Sequence, residues 1–154
     1  MTKYYYLTVN SKNVGIVASL NEIPLIINSK ADAINMDLPI NVWVQPGKNQ
    51  LAVTLDPPPG GGGIPEDAEM EALVFIHDPK SQSPNPGVIL ARLQWPPDGA
   101  VNKIQNFPQG LLVSFDVVQP PATKLWQDAE TIKEITQTDQ RELVALVETL
   151  RIAL

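Results

Sequence analysis

Between residues 4 and 119 the apolar positions either alternate with polar ones or gather in short runs, and Gly, Pro, Asn and Ser interrupt them. Alternation with a period of two is what a half-buried strand requires, because successive side chains point to opposite faces. YYYLTVN (4–10), VGIVASL (14–20) and IPLIIN (23–28) are therefore read as strands. In INVWVQ (40–45), Val42 and Val44 share one face while Asn41, Trp43 and Gln45 share the other. In PGKN (46–49), Pro46 presets φ and Gly47 can take a positive φ, a turn signature. QLAVTLD (50–56) then puts Leu51, Val53 and Leu55 on one face, so a β-hairpin is predicted over 40–56. EALVFIHD (71–78) and GVILARLQW (87–95) are apolar almost throughout, as a pair of central strands covered on both sides would be. GLLVSFDVVQ (110–119) places Leu111, Val113, Phe115 and Val117 on one side.

About eight strands with a turn signal every 8–12 residues or so predict an antiparallel β-sandwich, jelly-roll or immunoglobulin-like in topology. A closed barrel has the same periodicity.

The period changes near the C-terminus. Leu143, Leu146, Val147, Leu150 and Leu154 fall on one face of an α-helix, with Asp139 as N-cap and Glu142 three positions on. The expected organisation is a sandwich over 1–136 and an amphipathic helix over 137–154. No Gly, Asn or Pro follows Leu150 to end that helix. Either it docks on the sandwich, or the chain is the N-terminal part of a larger protein.

Composition narrows the chemistry. A net charge of -6 over 154 residues gives no basis for binding nucleic acid or an anionic membrane. The absence of cysteine removes disulfides and thiolate catalysis. No apolar run approaches the roughly 18 residues of a membrane helix, and MTKYYYLTVN does not resemble a signal peptide, which favours the cytoplasm.

The most conspicuous stretch is DPPPGGGGIPEDAEMEA (56–72). A phosphate cradle would set its glycines between a strand and a helix N-terminus, followed by lysine. Here prolines precede, the acids Glu66, Asp67, Glu69 and Glu71 follow, and the next element reads as a strand. An exposed inter-strand loop is expected, without cofactor or metal, since the acids do not follow a calcium-loop spacing. His77, the single histidine, cannot build a three-histidine zinc site, and no G-x-S-x-G motif offers it a nucleophile. Trp43, Trp95, Tyr4 and Tyr6 are the ligand-binding candidates, because flat aromatic faces with polar tips suit a sugar surface.

The stretch LTVNSKNVGIVASLN … LPINVWVQPGKNQLAVTL resembles the galactose-binding-like jelly-roll accessory domains of β-galactosidase-type glycoside hydrolases. Val9-Asn10, the turn Pro46-Gly47-Lys48-Asn49 and the alternation of Leu51, Val53 and Leu55 carry the resemblance, with Ser11 where those domains have glycine. It covers about the first third of the chain and implies a sandwich and, faintly, sugar binding; it transfers no functional residue.

The functional expectation is a non-catalytic binding or interaction module. It would meet a protein or a neighbouring domain through Leu143, Leu146, Val147, Leu150 and Leu154. Carbohydrate binding is the alternative, and a hydrolase using His77 as general base the third reading.

Overall fold

A computed structural model describes residues 3–60, 63–77, 87–97, 107–118 and 135–153. Eight strands and one helix appear in the order β1 (Tyr4–Lys12), β2 (Gly15–Leu20), β3 (Ile23–Asn28), β4 (Ile34–Pro39), β5 (Gly47–Asp56), β6 (Glu69–His77), β7 (Val88–Trp95), β8 (Gln109–Val117) and α1 (Gln137–Ala153). The strands form two antiparallel four-stranded sheets, ordered β4-β1-β6-β7 and β3-β2-β5-β8, as expected for a β-sandwich. The chain divides into two units, Met1–Lys124 with both sheets and Leu125–Leu154 with α1.

Alternation is followed closely within strands. Tyr5, Leu7 and Val9 of β1, Ile16, Ala18 and Leu20 of β2, Leu51, Val53 and Leu55 of β5, and Met70, Ala72 and Val74 of β6 form one buried cluster. Filling the space between sheets with these side chains is the main stabilising contribution, at roughly 25 cal/mol per Å² of apolar surface removed from water.

Only β2–β3 and β6–β7 are sequence neighbours paired in one sheet; every other connection crosses between sheets. That overturns the hairpin predicted over 40–56. The strand lies earlier, at Ile34–Pro39, where it pairs with β1. Residues 41–43 form a turn in which the Trp43 and Val44 N–H groups both donate to the Ile40 carbonyl. Ile40 and Val44 are wholly buried while Val42 is exposed, so this apolar spacing serves a coil crossing between sheets. Gly47 has φ of 80° as the turn reading required, yet it opens β5 instead of closing a hairpin.

A second correction concerns β7. It pairs with β6 as predicted, but it is an edge strand, and Val88 and Ile89 are exposed. Its start fits closely against β6: a Cβ on Gly87 would lie 1.9 Å from the Ile76 carbonyl oxygen, a distance only glycine avoids.

The glycine-rich segment carries the chain from β5 in one sheet to β6 in the other. Its acidic end is tied down. Asp67 accepts from Lys12 Nζ at 2.7 Å and from Asn13 Nδ2 at 2.9 Å, linking the loop to the β1–β2 turn. The hydrogen bond from Lys12, then that from Asn13, holds the Asp67 carboxyl below the ordinary aspartate range. Because the folded pKa is depressed, this link contributes at neutral pH and is lost as pH falls through the lowered value. A carboxyl-detected NMR titration should place Asp67 below an unstructured aspartate, and Lys12→Met should return it upward. A midpoint at the ordinary value in the intact chain would exclude the anchoring.

The start of α1 also differs from expectation. Thr136, not Asp139, caps the helix: its hydroxyl accepts from the Asp139 N–H at 3.2 Å. The Asp139 carboxylate in turn accepts from the Thr136 N–H and hydroxyl, both at 2.8 Å. This is the reciprocal capping box one turn earlier, with aspartate in place of glutamate. The same two hydrogen bonds lower the Asp139 pKa.

Candidate functional site

The four aromatic candidates do not converge. Trp95 is 1% exposed, in the core beside Phe107, with ring centroids 6.0 Å apart in an edge-to-face arrangement. Its ring therefore offers no open face for stacking a ligand, although the residue borders the groove described below. Trp43 sits in the 41–43 turn and packs partly buried against the core, while its carbonyl accepts from Asn21 Nδ2. Tyr4 and Tyr6 do share a face, on the outside of the β4-β1-β6-β7 sheet, with Tyr5 turned into the core. The Tyr6 ring stacks on Phe75 at 5.7 Å and meets His77 edge-on at 5.9 Å. Among the described residues no carboxylate hydrogen-bonds His77, and no group of His, Cys, Asp or Glu is placed to hold a metal ion. Asp78 lies outside the described residues.

What the same face brings together instead is a polar row that the sequence reading missed. Register places Asn10 opposite both Asn35 and Glu71, and Glu71 opposite Gln94. Directly paired residues share a face, so Asn35, Asn10, Glu71 and Gln94 run side by side across all four strands. They line a groove of about 770 Å³ with Lys12, Glu69 and Arg92. Its volume falls within the usual range for ligand sites.

The charges in this groove are balanced and mostly committed. Arg92 Nη2 lies 2.7 Å from Glu71 Oε1, its Nε donates to the same oxygen at 2.8 Å, and Lys12 is held by Asp67. Toward the aromatic end, the Thr8 hydroxyl donates to the Asp37 carboxylate. Alternation in β1 (Tyr4, Tyr6, Thr8, Asn10, Lys12) was the available signal for this face. Its partners on β4, β6 and β7 are distant in sequence and carried no signal of their own. The strand predicted from Glu71 begins two residues earlier, so Glu69 also belongs to β6.

In α1, Leu143 is 67% and Leu146 57% exposed, and Val144 and Val147 are exposed as well. Leu150 lies in the same helix, and Leu154 falls outside the described residues. No helix among the described residues is long and apolar enough to cross a membrane.

The fold and this face define an eight-stranded antiparallel β-sandwich with a polar groove on one sheet and an apolar helix face in a separate unit. Compared with known protein families, curated proteins and solved structures, the chain shows no match.

Proposed function

We propose that this chain is a non-catalytic binding module that contacts another protein or a neighbouring domain through α1. The observation supporting this reading is the run of exposed apolar side chains on one helix, at Leu143, Val144, Leu146 and Val147. Contact surfaces of this kind gain from burying apolar area, and helices commonly present such residues at spacings of three and four.

Sedimentation velocity of the intact chain and of a Leu143→Glu/Leu146→Glu variant tests the reading over a range of concentrations. With the partner absent, the exposed apolar face should pair with itself, so concentration-dependent association in the intact chain, lost in the variant, is the expected result. Two equally stable, equally monomeric proteins would count against α1 as a contact element. A second reading, carbohydrate binding, draws on the groove and not on the tryptophans.

A further inference from the structure

We infer that the outer face of the β4-β1-β6-β7 sheet binds a neutral saccharide chain, with Asn10 and Asn35 as its central hydrogen-bonding residues. This inference rests on the carbohydrate reading of the groove and is independent of the contact made by α1.

The groove selects by what it leaves available. Lys12 and Arg92 are balanced by Glu69 and Glu71 among the lining residues, and both cations already have carboxylate partners. The lining therefore carries no net charge to attract an anion, so a phosphate or a uronic acid gains little here. Asn10 and Asn35 face each other across β1 and β4, and their side-chain amides make no hydrogen bond to another described residue. Each offers two N–H donors and a carbonyl acceptor, which matches hydroxyl groups that both donate and accept.

The floor also argues against an added peptide strand. β1 and β6 are interior strands, flanked on both sides, so their backbone groups are paired within the sheet. Strand addition needs an open edge; on this face only side chains can recognise a ligand.

The aromatic residues complete the match. Tyr6 lies four residues from Asn10 on the same face of β1, about 13 Å along the strand. Its ring is backed by Phe75 and His77, and Tyr4 follows it outward, 40% exposed. Aromatic rings with polar tips suit the apolar faces of sugar rings. Polar floor and aromatic end together suit a chain of sugar units better than a single one.

Affinity electrophoresis of the full chain through gels containing β-glucan, galactomannan or dextran provides the test, with alginate as the anionic arm. Retardation in at least one neutral gel and none in alginate is expected. Asn10→Ala/Asn35→Ala should weaken that retardation roughly tenfold or more, on the basis of two lost hydrogen bonds. Its thermal midpoint should stay near that of the parent, since both side chains lie on the outer face. Leu143→Glu/Leu146→Glu should bind sugar like the parent, which separates this inference from the role of α1. Retardation in no neutral gel, retardation by alginate alone, or unchanged binding in the double asparagine variant would overturn it.

Discussion

Replacing Asn49 by alanine is expected to lower the unfolding free energy by about 2–4 kcal/mol, measured by urea denaturation, because a buried network loses its centre. Asn49 is 1% exposed, and its amide is fully used. Its Nδ2 donates to the Gln45 carbonyl at 2.8 Å and the Gly47 carbonyl at 3.0 Å. Its Oδ1 accepts from the Gln45 N–H and from Asn21 Nδ2, both at 2.9 Å. Asn21 extends the network, donating to the Trp43 carbonyl at 3.0 Å and accepting from the Gln50 N–H at 2.9 Å. The turn after β2, the crossing segment before β5 and the start of β5 are thus held by two side chains.

Asn49→Asp separates this account from simple loss of volume. A carboxylate cannot donate to the Gln45 and Gly47 carbonyls, and would face both with like partial charge. Burial beside those carbonyls should raise its pKa in the folded state, so the variant should regain stability as pH falls toward that value. Equal stability of Asn49→Ala and the parent chain would show that the backbone groups find other partners.

Trp95→Ala is expected to cost about 3–5 kcal/mol, a large part of the roughly 5–15 kcal/mol available to an ordinary domain. The ring is 1% exposed and among the largest fully buried side chains, so its removal leaves a cavity where β7 packs inward beside Phe107. Its Nε1–H has no hydrogen-bond partner among the described residues. Trp95→Phe should therefore be much milder, since it removes an unpaired donor and keeps an aromatic ring. A thermal melt of both variants checks this; an alanine variant as stable as the parent would place the ring outside the core. The consequence for function is direct. Loss of sugar binding in Trp95→Ala would report unfolding and not a lost stacking contact, whereas Asn10 and Asn35 can be altered without opening the core.

The strand content and the inward positions were legible in the sequence because alternation is a local property. Leu51, Val53 and Leu55 share one face as read, and that face is buried, and the two strands β6 and β7 paired. INVWVQ failed because its valines alternate as a strand's would, while burial at Ile40 and Val44 and the hold of Asn49 on Gln45 favour a coil. A four-residue spacing serves a turn as well as a two-residue spacing serves a strand, and local pattern does not choose between them. The helix was legible from its period of three and four, but its start was set by which hydroxyl reached an unpaired N–H, and Thr136 did so.

The sequence alone determined that this chain makes strands, which side chains of most strands enter the core, and that a helix with apolar residues at spacings of three and four follows the strands. It also ruled out thiolate chemistry and gave no basis for polyanion binding. Tertiary structure decided which strands became edges, that Trp95 is interior, and that Asn10, Asn35, Glu71 and Gln94 form one row. The physical reason is that alternation acts over two residues, whereas partner and register are chosen by packing between segments far apart in sequence. The face of each strand was set locally; the neighbours that turn a face into a site were not.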